Sequence, residues 1–167
     1  MTNQTARLLA AMADYDRHAE RIHHFVKVHG FACAIAALEG VDEETQFVLE
    51  TAALVHDIGI RNCLEKFGSS RGPLQEQEGP AEAETLLRSV GGYTEAQIDR
   101  VKYLVGHHHT YTNIDGIDYQ ILVEADFLVN LYESPDRYRA ILTAEQRIFR
   151  TQSGKQLLHA LFGLESE

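Results

Sequence analysis

The chain has 167 residues, 44% hydrophobic and 24% charged, which are the proportions of an ordinary globular protein with one core. A formal net charge of −10 argues against non-specific binding to a nucleic-acid polymer, which needs cationic contacts to phosphate. No stretch approaches the roughly 18 apolar residues of a membrane span, and the start Met1-Thr2-Asn3-Gln4-Thr5 lacks a signal-peptide pattern, so a cytoplasmic protein without a membrane partner is expected.

The expected fold is all-α. Thr5 to Asp14 form a first amphipathic segment. A long second helix is expected from about Asp16 to Glu39, stopping at Gly40. On it Ile22, Phe25, Val26, Val28, Phe31, Ala32, Cys33, Ile35, Ala36 and Leu38 cover a wide apolar arc. His24 and His29 fall inside that arc, whereas His23 falls on the polar side with Lys27. Asp42 caps a third helix with Glu43 and Glu44 in its first turn, and this helix runs to His56-Asp57 before Gly59. Phe67 to Gly79, with three glycines and Pro73, reads as a long loop. Pro80 then opens a helix that Gly91-Gly92 ends. Thr94 and Gln97 form a capping box for a helix leading to His107-His108-His109, and Thr110 to Gly116 form a second loop. Asp118 is expected to cap the next helix, through about Tyr132. Ser134-Pro135 breaks the chain before a further helix, and Gly154 separates a short last one. The whole, residues 1–167, reads as one domain with its core in about 21–133 and the helices of 135–164 packed on it.

Nine histidines are many for this length, and five stand in two tight groups. The pair His56-Asp57, in Leu54-Val55-His56-Asp57-Ile58-Gly59, ends an apolar helix with an imidazole and a carboxylate, both costly to bury without a partner. A divalent cation satisfies both. His24 and His29 are the inward candidates to join it, and helical periodicity does not choose between them. Of His107, His108 and His109, which point in three directions, at most two can serve one site; the bland alternative is a solvated helix end. Asp126, flanked by Ala125, Phe127, Leu128 and Val129, needs a partner, either a cation or an arginine such as Arg137. Mixed imidazole and carboxylate donors suit Zn²⁺, Fe²⁺ or Mn²⁺, and such sites with open positions are generally catalytic. Cys33 and Cys63 read as small hydrophobes, not as a disulfide framework.

This ordered series, a histidine, then His-Asp, then a distal aspartate on helices, resembles the HD-domain superfamily of metal-dependent phosphohydrolases. The similarity spans roughly Arg21 to Glu133. His24-Phe25-Val26-Lys27-Val28, with Ala32 and Ala36 in step, fits the first motif better than His29 does. The stretches Gly106 to Tyr111 and Asp118 to Asp126 look like a small bacterial branch of the superfamily. The resemblance implies an HD-domain-like helical bundle with one divalent metal ion (Mn, Zn, Fe, Ni or Mg) held by His24, His56, Asp57 and Asp126. A second ion is allowed, with Glu78, His107 and His108 as its candidate ligands or as their supports. In dinuclear members a further histidine precedes a helix, where this chain has Glu78-Gly79-Pro80. The alternative for Glu78 is a solvated residue favourable to a helix N-terminus.

The implied activity is hydrolysis of a small phosphorylated substrate, a phosphomonoester or phosphodiester and perhaps a nucleotide, by metal-activated water. Asp57 would orient that water, and His107 or His108 would protonate the leaving oxygen or steady the phosphoryl group. Lys66 and Arg71 are candidates for phosphate contact, otherwise solvated cations, and Ser69, Ser70 and Gln75 offer further polar contacts from a lid. The other readings are a non-catalytic metal or nucleotide sensor and a di-iron oxygenase of the HD type.

Overall fold

A computed structural model describes residues 1–134 and 137–164, with the side chains of residues 137 and 138 left aside. Pro135, the expected breaker, and the Arg137 side chain, the alternative partner for Asp126, lie outside the described residues. The described residues are all-helical, as the periodicity predicts: α1 Asn3–Asp16, α2 Ala19–Glu39, α3 Glu43–Val55, α4 Ile60–Phe67, α5 Gly72–Val90, α6 Glu95–Val105, α7 Ile117–Glu133, α8 Arg137–Arg147 and α9 Gln152–Phe162. Among them no helix is long and apolar enough to cross a membrane, and both cysteines are free thiols.

Two helices anchor the bundle. α2 packs on α3 and α7, and α3 in turn packs on α1, α6 and α7. α7 is buried along most of its length, with Ile121, Leu122, Val123, Ala125 and Leu128 in the core beside Phe25, Leu49 and Leu54. A helix apolar on nearly every face belongs in the middle of a bundle, so Asp126 is carried into the interior. α5 and α6 pair with each other, and α8 and α9 pack on α7.

Several caps follow the sequence. Gly40 ends α2 in the left-handed conformation, φ 68°, where an L side chain is strained. Asp42 accepts from Thr45 N–H at 3.0 Å, and Thr94 with Gln97 forms the full capping box. Other boundaries differ. α2 starts at Ala19 because Arg17 turns left-handed, φ 54°, after Asp16 has closed α1 and paired with Arg21. Val26 and Leu38, read as inward, are exposed.

The long loop expected over Phe67 to Gly79 is the largest departure. Ile60–Phe67 forms α4, and α5 starts at Gly72 and continues through Pro80, which lies inside the helix instead of opening it. Pro73 sits in the first turn, where no intrahelical donor is lost. Gly72 and Gly79 are contact residues, not hinges. A Cβ on Gly72 would lie 2.9 Å from the His109 ring, and one on Gly79 would lie 2.7 Å from Val105 Cγ1. Gly59 meets Gly79 backbone to backbone, since a Cβ on Gly59 would fall 2.9 Å from Gly79 N. This approach lays α5 directly over the residues that follow Asp57.

Asp118 does not cap α7. Gly116 holds that position, while Asp118 sits inside the helix and forms a two-pronged pair with Arg100 at 2.7 and 2.8 Å. Gly154 lies within α9, whose cap is Thr151. The buried carboxylate of Glu124 accepts from Arg150 N–H at 2.6 Å, Thr151 N–H at 2.9 Å, and the side chains of Thr151 and Gln120. A buried charge with that many donors is compensated, and it ties α7 to the start of α9.

Candidate metal centre

The end of α3 sets the position of the site. His56, beyond the last turn, is fully buried, and its Nδ1 lies 3.0 Å from Ala53 O. A carbonyl only accepts, so the proton resides on Nδ1 and the Nε2 lone pair points into the interior. α2 does the same with His24: its Nδ1 faces Glu133 Oε2 at 3.2 Å, again placing the proton there and leaving Nε2 open. The two Nε2 atoms then face each other at 3.3 Å.

Two lone pairs opposed at that distance need an electrophile between them, a proton or a metal ion. The carboxylates complete the case for a cation. Asp126 Oδ1 lies 3.2 Å from His24 Nε2 and 3.5 Å from His56 Nε2. Asp57 Oδ2 lies 3.9 Å from the former and 3.7 Å from the latter. Tetrahedral donors at roughly 2.0–2.1 Å from one ion stand roughly 3.3 Å apart, close to the His24–His56 and His24–Asp126 separations. His24, His56 and Asp57 offer donor atoms all within 4.8 Å of one another, and Asp126 of α7 reaches the same two imidazole nitrogens.

Electrostatics agree. Burial opposes protonation of His24, but hydrogen bonding and charge from Asp126 outweigh it and raise its pKa. For His56 burial is again opposed and overcome, here by Asp57 first and Asp126 next. Burial pushes both aspartates up, yet the histidines hold them well below the usual carboxylate range. Without metal the site is a network of protons shared between imidazoles and carboxylates, which a divalent ion would displace.

The histidine run divides as the sequence could not specify. His107 turns away: Nδ1 lies 2.7 Å from Tyr103 O and its ring stacks on Tyr103, centroids 4.1 Å apart. It lies in neither donor group beside Asp57, unlike the expectation of a catalytic or ligating role. His108 is buried, its Nδ1 held at 2.8 Å from Val105 O and its Nε2 3.0 Å from Asp57 Oδ1. His109, one of the three rings that the sequence left open, stands beside it: Nε2 is 3.9 Å from the same Asp57 oxygen, buried and without a hydrogen-bond partner. Burial, then the neighbouring His108, lowers its pKa to about 4. Asp57, His108 and His109 thus form a second group of donors close enough to hold an ion, sharing Asp57 with the first.

Glu78 belongs to neither group. It lies on α5, mostly buried, and pairs with Lys66. Lys66 is half-exposed, with its ammonium on the Glu78 carboxylate. The α5 carboxylate at the histidine turn is Glu76, whose Oε1 accepts from His109 N–H at 3.0 Å and Thr110 Oγ1 at 2.9 Å. Arg71 is exposed at the N-terminal cap of α5, one residue before Gly72. Gln75 is buried, with Nε2 donating to Ser70 O at 2.8 Å and its amide oxygen unpartnered. Glu133, also missed, stands seven residues after Asp126 on α7, a spacing that returns to one helical face.

Comparison with protein-family models, curated proteins and solved structures gave no match.

Proposed function

We propose that the chain is a cytoplasmic metal-dependent phosphohydrolase of the HD-domain kind, acting on a small phosphorylated compound such as a nucleotide. The observation that carries this reading is the pair of imidazole lone pairs, His24 Nε2 and His56 Nε2, opposed at 3.3 Å with Asp126 and Asp57 around them. A divalent ion bound there supplies a lowered pKa for water and a Lewis acid toward a phosphoryl oxygen.

The chain's own groups supply the rest. Asp57, with one oxygen toward His24 and His56 and the other toward His108, holds the attacking water by accepting its proton. His108 fixes that carboxylate through its Nε2. His109, a neutral imidazole near pH 7, offers an unpartnered ring nitrogen beside the same carboxylate for a hydrogen bond with substrate. Arg71, one residue from the glycine that packs on His109, would meet the remaining phosphate charge. Tyr111, half-exposed and edge-on to Phe127 at 5.2 Å between centroids, offers an aromatic surface for a base.

The test is a hydrolysis screen of nucleotides and simple phosphate esters with Mn²⁺, Zn²⁺, Fe²⁺, Ni²⁺ and Mg²⁺, run beside Asp57→Ala. Metal and hydrolysis should be lost together in the variant. Full hydrolysis without Asp57 would defeat the scheme, and tight nucleotide binding with no turnover under any metal would favour a sensor. The sharing of Asp57 by two donor groups favours a second reading, an oxygen-using di-iron enzyme. Two irons per chain, with oxidation of substrate by O₂, would select it over the hydrolase.

A further inference from the structure

α2 carries another inward histidine, His29, five residues past His24, so about 140° farther around the helix and about 7.5 Å along it. It serves a different place. His29 Nε2 lies 3.2 Å from Glu50 Oε2 on α3, and Cys33, one turn along α2, brings Sγ to 3.6 Å from the same nitrogen. The three donor atoms all lie within 4.8 Å of one another.

We propose that His29, Cys33 and Glu50 form a further metal site, selective for a zinc-class divalent cation and independent of the phosphohydrolase reading. The nitrogen–oxygen separation is that of two donors on one tetrahedral ion, and Cys33 Sγ, level with both ring nitrogens, reaches an ion on Nε2 by rotating about its Cα–Cβ bond. With the usual Zn–S length of about 2.3 Å and Zn–N and Zn–O lengths of about 2.0–2.1 Å, tetrahedral S···N and N···O edges come to roughly 3.6 and 3.3 Å. The pairs here stand at 3.6 and 3.2 Å.

A catalytic relay fits less well. Cys33 Sγ is nearly equidistant from both ring nitrogens, 3.6 and 3.7 Å, and it shares Nε2 with Glu50 instead of taking the opposite nitrogen. Burial also pushes the Cys33 thiol up to about 12, so the metal-free cysteine is a thiol at neutral pH and reacts slowly, not the thiolate that a relay would need.

Glu50 supplies the need for a cation. Its side chain is 8% exposed, and no lysine or arginine pairs with it among the described residues. Its other oxygen takes a hydrogen bond from Gln46 Nε2 at 2.9 Å. The His29 ring is the side chain that faces Oε2. A thiolate, an imidazole and a carboxylate together select Zn²⁺ or Co²⁺ over Mg²⁺ or Ca²⁺. Binding displaces the Cys33 proton to solvent. Glu50 and Gln46 also line a surface cleft of about 340 Å³, with Thr2, Glu43 and Phe47, giving an ion a way in and room for water on it.

The sulfur separates this site from the other by spectroscopy. Metal-stripped protein titrated with Co²⁺ should develop a near-ultraviolet thiolate-to-cobalt charge-transfer band, absent from a site made of nitrogen and oxygen. The band should vanish in Cys33→Ser, persist in Cys63→Ser and Asp57→Ala, and require at least tenfold more Co²⁺ in Glu50→Gln. In the unaltered protein, Zn²⁺ should slow alkylation of Cys33 at least tenfold and leave Cys63 unaffected. This second measurement needs no variant to fold. Cobalt binding without the sulfur band, a band that survives Cys33→Ser, or equal alkylation with and without Zn²⁺ would overturn the assignment.

Discussion

Replacing Glu133 tests whether His24 is held as a ligand. Its Oε2 sits 3.2 Å from His24 Nδ1, and its other oxygen pairs with Lys27. In Glu133→Ala the acceptor that keeps the proton on Nδ1 is gone, and Nε2 is free to take it, which blocks the lone pair facing His56. Outer partners of metal-bound imidazoles contribute about 10–100-fold in affinity, or about 1.4–2.8 kcal/mol at 1.4 kcal/mol per decade. The Glu133 side chain is 37% exposed, so water can take over part of its role and about tenfold is expected. Simple loss of a negative charge near a cation would also weaken binding. Glu133→Gln separates the two causes, since it removes the charge and keeps an acceptor for Nδ1. The assay is competition of metal-stripped protein with a chelating dye for Zn²⁺ and Mn²⁺, with circular dichroism as the check on folding. The reasoning fails if the alanine variant binds within about twofold of the parent, or if glutamine is as weak as alanine.

Other outcomes follow from the same geometry. The pKa values of His24 and His56 are raised above 6.5, so protons compete with the ion at unusually high pH; metal affinity should decline as pH falls, beginning above 6.5, measured by the same titration. For the metal-free protein the sign reverses: these histidines contribute stability that is full below pH 6.5 and lost as pH rises through their raised pKa values, so its melting temperature should drop from about pH 6.5 upward. The depressed Asp57 and Asp126 act at the other end, their contribution being present above pH 3.8 and lost as acid titrates them in the folded state. Gly79→Ala drives a methyl group to 2.7 Å from Val105 Cγ1, an overpacking that should cost about 1–3 kcal/mol in urea unfolding; an unchanged midpoint would mean that α5 shifts freely.

The fold was legible wherever the chain used local rules. Gly40, Asp42 and the Thr94–Gln97 box act within a few residues of themselves, so their meaning does not depend on the rest of the molecule. Phe67 to Gly79 misled because Gly72 and Gly79 are small for the sake of neighbours distant in sequence, His109 and Gly59, and nothing local separates such a glycine from a loop glycine. The site shows the same division. His56, Asp57 and Asp126 stand out because each is a polar residue in an apolar stretch. The exchange of His107 for His109 was hidden, because it depends on how the turn after Val105 aims three identical rings. Glu78 invited a role through its place in a motif, and only the partner across from it, Lys66, shows how its charge is spent.

Glu124 bears on how far the chain can be shortened. It lies two residues before Asp126 on α7, fully buried, and most of its donors come from Arg150 and Thr151 at the start of α9. A truncation ending before Arg150 would strand that carboxylate without its backbone donors, one helical turn or less from a ligand of the candidate metal centre. The last helix therefore behaves as a keystone of the site and not as an appendage, and a minimal unit cut at the end of α7 should be judged by its metal binding before its solubility.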